Sequence, residues 1–208
     1  MTEKTHDQLQ LERLTFFSDA VFAIAMTLLV VEVKLPDNVP ATDVGLADAL
    51  LRLIPQYIGF LVSFLVVGRF WIGHHRVFGR LKRVDDGLVG RNLWALLTIA
   101  FMPFPTTLVS HYVGTRVGVC FYAAWLTLAG LANVMVERYA MRGPLVAPGG
   151  IDDLRRWAQG GWAPVTIGVL AFAAALVDPL FALVPLGLSP VIVRLFTRKA
   201  RAKALPRK

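Results

Sequence analysis

Residues 13–36 read RLTFFSDAVFAIAMTLLVVEVKLP. From Phe16 to Leu35 the stretch is almost wholly apolar, and its only acidic residues are Asp19 and Glu32. A helix needs about 20 mostly apolar residues to cross the ~30 Å hydrocarbon core of a bilayer, because each residue rises ~1.5 Å. This stretch therefore predicts a transmembrane helix.

The composition of the whole chain agrees with this prediction. Of its 208 residues, 56% are hydrophobic and 17% are charged, and the mean hydropathy is +0.58. A soluble domain carries ~25% charged residues, and a disordered chain is poor in apolar residues, so both classes are excluded. The single cysteine, Cys120, excludes an intrachain disulfide and a cysteine metal site.

Six apolar segments are long enough to span a membrane, which predicts an all-α integral membrane protein with six transmembrane helices per subunit. The segments are Phe16 to Leu35, Ala49 to Gly73, Leu88 to Ser110, Gly118 to Val136, Gly161 to Val177 and Leu180 to Phe196. A break at Asp178-Pro179 separates the last two. The domain organisation is then an N-terminal arm (1–14), a six-helix transmembrane domain (15–197) and a basic tail (198–208).

The basic residues fall on one side of this arrangement. Of the 22 lysines and arginines, 19 lie in the N-terminal arm, in the second and fourth connections with their helix ends, and in the C-terminal tail with the end of the sixth span. The positive-inside rule then places both termini in the cytoplasm. The tail sequence Arg198-Lys199-Ala200-Arg201-Ala202-Lys203 favours attraction to anionic lipid headgroups over nucleic-acid binding, because it follows a membrane span.

The first predicted helix has an apolar stripe. At ~100° per residue, Phe17, Ala20, Ile24, Leu28 and Val31 share one face, with Thr27 at its edge. From the pattern alone such a stripe is typical of helix packing. The alternative is a set of stacked apolar rings around the axis of an assembly.

Asp19 lies away from the stripe, and a carboxylate in a span must be paired or hydrogen-bonded. Potential partners near the cytoplasmic ends of their spans are Arg13, Trp71, His74, His75 and Asn92. We therefore predict that Ser18 and Asp19 join them in a network that fixes the first helix against the second and third. No metal site is expected, since adjacent histidines on a helix diverge by ~100°.

These motifs carry a family resemblance. Arg13, Phe17, Ser18 and Asp19 fit an Arg-x-x-x-Phe-Ser-Asp signature at the start of a first span. In this signature and in the apolar run that follows it, the chain resembles bacterial relatives of the lysosomal potassium channel transmembrane protein 175. The resemblance extends to Phe70-Trp71, His74-His75, Asn92 and Pro103-Phe104-Pro105-Thr106.

The resemblance implies a homotetrameric, leak-type potassium channel of the bacterial plasma membrane, without a cofactor. The first helices would line a central pore. By position, Ile24, Leu28 and Val31 would form its apolar constriction and Thr27 a polar layer with modest preference for potassium over sodium.

The sequence leaves two alternative functions. One is a proton-coupled secondary transporter that uses Asp19 and the histidines as a relay, and the other is a membrane scaffold or lipid-binding protein that acts through its basic tail. No nucleophile and base pair, phosphate loop or metal cluster indicates an enzyme.

Overall fold

The computed structural model describes residues 5–142, 144–188 and 194, and this part of the chain is all-α. Its elements are α1 His6–Val31, α2 Asp43–Arg52, α3 Ile54–Phe78, α4 Asp86–Ala100, α5 Pro103–His111, α6 Arg116–Ala140, α7 Gly150–Val177, a 3-10 turn Pro179–Ala182 and α8 Leu183–Gly187. An isolated antiparallel bridge between Leu81 and Val146 joins the α3–α4 and α6–α7 connections.

Five segments of the described chain are long and apolar enough to cross a membrane. Four of them are the single helices α1, α3, α6 and α7, and the fifth is α4 joined to α5.

Side-chain caps define the starts of several helices. Thr42 accepts from the Gly45 amide at 3.1 Å, and Asp85 accepts from the Leu88 amide at 2.8 Å. Such caps satisfy amides that have no partner within the helix.

The third predicted span is broken between α4 and α5. Pro103 lacks an amide hydrogen, so the Met102 amide turns back to the Ile99 carbonyl at 3.0 Å. The Thr98 carbonyl instead accepts a hydrogen bond from the Trp125 indole of α6 at 2.9 Å. A neighbouring helix thus satisfies a backbone group that the proline break has freed, as hydrocarbon surroundings require.

Other boundaries also differ from the predicted spans. The segment expected to start at Ala49 is divided at Leu53 into the short α2 and the long α3. The first helix begins at His6, inside the segment expected to be an arm, where Thr5 and Gln8 form a capping box. The fifth long helix begins at Gly150, within a predicted connection, after Gly149 at φ 76°.

The chain breaks after α7 at the predicted position. Asp178 has an extended backbone, and its carboxylate accepts from the Leu180 amide at 2.8 Å. The described part of the predicted sixth span comprises the 3-10 turn and α8. The rest of that span, except Arg194, and the whole predicted basic tail lie outside the described residues.

The core of the bundle lies where α1 packs against α3 and α4. Phe22, Ala25 and Leu29 of α1 are buried there, in one cluster with Val67 of α3 and Ile99 of α4. Close packing of α6 and α7 depends on small residues: a side chain at Gly130 would meet Val165, and one at Gly168 would meet Thr127.

Candidate functional site

The predicted stripe of α1 is exposed in the isolated subunit. Ile24, Leu28 and Val31 are 58%, 44% and 54% exposed. On the opposite face of the same helix, Phe22 and Leu29 are each 1% exposed. The helix therefore presents three branched apolar side chains away from its own subunit's core.

Thr27 lies exposed beside this stripe. Its hydroxyl donates to the Ile24 carbonyl of its own helix at 2.8 Å. Because the hydroxyl hydrogen is used in this bond, lone pairs of Oγ1 remain directed away from the helix backbone. The residue can thus offer an oxygen acceptor, which is what a passing cation requires.

A buried polar chain joins α1, α4 and α3. The Ser18 hydroxyl donates to the Leu14 carbonyl at 2.8 Å, and the Asn92 amide nitrogen donates to Ser18 Oγ at 2.9 Å. The Asn92 amide oxygen lies 2.9 Å from His74 Nε2. Ser18, Asn92 and His74 are all buried.

The direction of this chain determines the tautomer of His74. Since the Asn92 nitrogen donates to Ser18, its oxygen faces the imidazole and can only accept, so Nε2 of His74 carries the hydrogen. Nδ1 is buried without a hydrogen-bond partner in the described structure. The ring stacks on Phe78 with its centroid 3.9 Å away, which fixes its plane.

Asp19 and Trp71 form a second link between α1 and α3. The indole Nε1 of Trp71 donates to Asp19 Oδ1 at 2.8 Å. The His75 ring lies 5.6 Å from the Trp71 ring, and His75 itself is exposed. Asp19 therefore has a neutral donor as partner.

The structure does not bring every residue of the predicted network into these contacts. Arg13 is exposed, and in the described part of the chain no acidic side chain lies within ion-pair distance of it. Phe17 is 51% exposed on the same face as Ile24. The contacts thus join Ser18, Asn92 and His74 in one chain, and Asp19 with Trp71 in another.

A groove runs beside the last turn of α1, next to the α4–α5 break. Its lining is mostly apolar: Leu28, Val31, Glu32, Ala100, Phe101, Pro103, Phe104 and Thr107. Two residues of the predicted constriction thus share a surface with the break, and Glu32 is the only charged residue in that lining.

Comparison with known proteins identifies the family. The family described as "Endosomal/lysosomal potassium channel TMEM175" matches residues 13–103. A potassium channel of Chamaesiphon minutus is 38% identical over 145 residues, which cover 68% of this chain and 71% of that protein. The chain belongs to the TMEM175 family.

A second TMEM175 relative and a solved structure extend the match. A potassium channel of Streptomyces collinus is 36% identical over 175 residues, covering 78% of this chain and 83% of that protein. The crystal structure of a lysosomal potassium-selective channel TMEM175 homolog from Chamaesiphon minutus has a TM-score of 0.77 and 28% identity, and covers 93% of this chain and 99% of that one. The TMEM175 fold therefore covers more of the chain than residues 13–103, which the family match spans.

The TMEM175 family is one of ion channels rather than enzymes, and several apolar helices make this member a multi-pass membrane protein. Within the part of the chain that the structure describes, no three His, Cys, Asp or Glu residues are grouped to hold a metal ion.

Sequence reasoning missed a second buried polar cluster of this TMEM175 protein. The hydroxyls of Ser63 on α3, Thr106 on α5 and Tyr122 on α6 form a hydrogen-bonded chain with distances of 2.8 and 3.1 Å. It missed Glu137 too, whose Oε2 is buried without a hydrogen-bond partner in the described structure. Polar residues in apolar spans were the available signal, since each requires burial against protein or water.

Proposed function

We propose that this chain is the subunit of a potassium-permeable, leak-type channel in which α1 lines the pore. The observation that carries the proposal is the exposed Ile24, Leu28 and Val31 stripe, on a helix whose opposite face is held by buried polar bonds. Two relatives of similar sequence are named potassium channels, which supports the same function.

The proposed assembly is a homotetramer of six-helix subunits around a central axis. Four copies of α1 would face each other, and the stripe would then form three stacked apolar rings. Such rings block ions without any charge when they are narrow enough to exclude water, and they conduct when the helices spread or rotate and water returns.

Selectivity in this proposal comes from Thr27. Its hydroxyl oxygen is exposed beside the stripe, while its hydrogen is bonded to Ile24. Four such oxygens could replace part of the hydration shell of an ion, but they coordinate it less completely than stacked rings of carbonyls. We therefore expect only a modest preference for potassium over sodium.

The proposed location is the bacterial plasma membrane, with both termini in the cytoplasm. The distribution of 19 of the 22 basic residues supports this orientation. The start of α1, the end of α3 and the start of α4 then lie at the cytoplasmic side, with Ser18, Asn92 and His74. The basic tail (198–208) would contact anionic lipid headgroups and the segment 15–197 would form the channel domain.

Ion flux from proteoliposomes tests the proposal. Purified protein should release potassium down its gradient without a proton gradient, and sodium more slowly. Ile24→Ala and Leu28→Ala should raise the flux or reduce its selectivity, because they widen the constriction. Leu61→Ala on α3 is the matched control, since Leu61 is an equally apolar residue, 56% exposed.

Two results would overturn the proposal. Flux that saturates with substrate and requires a proton gradient would indicate the proton-coupled transporter instead. Protein that binds anionic vesicles but passes no ion would indicate the scaffold or lipid-binding function. Unchanged flux in both Ile24→Ala and Leu28→Ala would remove these residues from the constriction.

A further inference from the structure

Glu32 occupies the end of α1 next to the predicted constriction. It is the C-terminal cap residue, with φ −79° and ψ −10°, and it is half-buried. It follows Leu28 by four residues, so the two side chains lie on the same side of the helix, one turn apart. Both line the groove beside the α4–α5 break, together with Val31.

An acidic residue at this position is electrostatically unfavourable for the helix. The C-terminal end of a helix carries a partial negative charge, which a basic residue would stabilise and a carboxylate opposes. The last turn of α1 contains no basic residue. A residue that destabilises its own helix is expected to serve a function, and attracting a cation from solution is such a function.

Nearby basic side chains do not neutralise Glu32. Arg52, which lies on the same side of the predicted membrane, is paired with Asp48 at 2.8 Å. Among residues 5–142, 144–188 and 194, no basic side chain lies within ion-pair distance of the Glu32 carboxylate. Lys34 is the nearest basic residue in sequence, and it is exposed in the connection beyond the helix.

We propose that Glu32 concentrates cations at the outer mouth of the pore and so raises potassium entry from that side. The inference rests on the proposed function, because it requires α1 to line a pore. In a tetramer, four carboxylates and four helix C-termini would surround one opening. Rings of acidic side chains and clefts of one charge sign raise the local concentration of cations in this way.

Single-channel conductance in planar bilayers tests this proposal. With potassium entering from the side of the α1 C-terminus, Glu32→Gln should lower the conductance roughly two- to fivefold at about 0.1 M salt. The two proteins should converge at about 1 M, where the Debye length falls from ~10 Å to ~3 Å. Glu32→Lys should reduce entry from that side further than Glu32→Gln.

Two control variants separate this role from others. Asp43→Asn removes the same charge on the same side of the predicted membrane, from the first turn of α2, and should leave the conductance unchanged. Glu32→Asp keeps the charge and should conduct like the original protein at both salt concentrations. An equal loss in Asp43→Asn would indicate general surface charge and overturn the proposal.

Further outcomes would also overturn it. Glu32→Gln with unchanged conductance at about 0.1 M salt would show that the carboxylate does not concentrate the ion. Loss of conductance at every salt concentration in both Glu32→Gln and Glu32→Asp would show a structural role instead. If the unaltered protein passes no potassium, the proposed function itself fails, which is a separate result.

Discussion

The two faces of α1 contrast sharply within one subunit. Phe22 and Leu29 pack into the core on one face, which also carries the buried Ser18 with its links to Asn92 and His74. Ile24 and Leu28 project from the other face and are about half exposed. Because polar bonds are directional, they fix the rotation of the helix about its axis, which apolar packing alone does less strictly. The contrast indicates that the orientation of the exposed stripe is specified.

The largest difference in stability is expected between alanine variants of two adjacent leucines, one on each face of α1. Leu29→Ala should reduce the free energy of unfolding by about 2–4 kcal/mol, since it leaves a cavity against α3 and α4. Leu28→Ala should reduce it by less than about 0.5 kcal/mol within a subunit, because Leu28 is exposed there. Thermal unfolding in detergent measures both. Equal losses would contradict the assignment of the two faces.

The polar bonds of the buried face are tested by Asn92→Ala. This change leaves Ser18 and His74 without their buried partner, so the stability should fall by about 2–4 kcal/mol. The matched control is Asn133→Ala on α6, whose amide nitrogen, within the described part of the chain, donates only inside its own helix, to Ala129 at 2.9 Å. A loss in the control as large as in Asn92→Ala would show that the contact between helices has no special role.

A smaller loss of stability is expected when the hydrogen bond between Asp19 on α1 and Trp71 on α3 is removed. Trp71→Phe removes the donor to Asp19, and the stability should fall by about 0.5–1.5 kcal/mol because the half-exposed carboxylate can still be hydrated. Trp94→Phe is the control, since Trp94 is 64% exposed on α4. Identical melting temperatures for the two variants would show that the Trp71–Asp19 bond adds nothing.

The smallest effect on stability is expected at Thr27, at the edge of the exposed face. A change there should instead alter the selectivity of transport. Thr27→Val removes a hydroxyl that, among the residues the structure describes, is bonded only within its helix. The free energy of unfolding should therefore change by less than about 0.5 kcal/mol. The ratio of potassium to sodium flux should fall towards one. Thr166→Val on α7 removes a similar bond, to Trp162 at 3.0 Å, and should keep the ratio. A preserved ratio in Thr27→Val would remove Thr27 from the selectivity layer.

The helical class and most apolar spans followed from the sequence because a bilayer requires long apolar helices. That Ile24, Leu28 and Val31 share one face could be predicted as well, since the period of one helix determines its faces. Their exposure could not, because the same pattern is typical of helix packing. The break at Pro103 was missed because hydropathy continues across it. Sequence indicated that Asp19 needed a partner, but the choice of Trp71, 52 residues away, depends on how the helices pack.

The most direct measurement of the central claim is thiol accessibility along α1. In a Cys120→Ala background, which removes the native thiol, Leu28→Cys and Leu29→Cys are each treated with a charged, water-soluble methanethiosulfonate reagent during potassium flux. We predict that modification blocks flux through Leu28→Cys and leaves flux through Leu29→Cys unchanged. Block only in Leu29→Cys, or an equal response in both, would contradict a pore lined by the exposed face of α1.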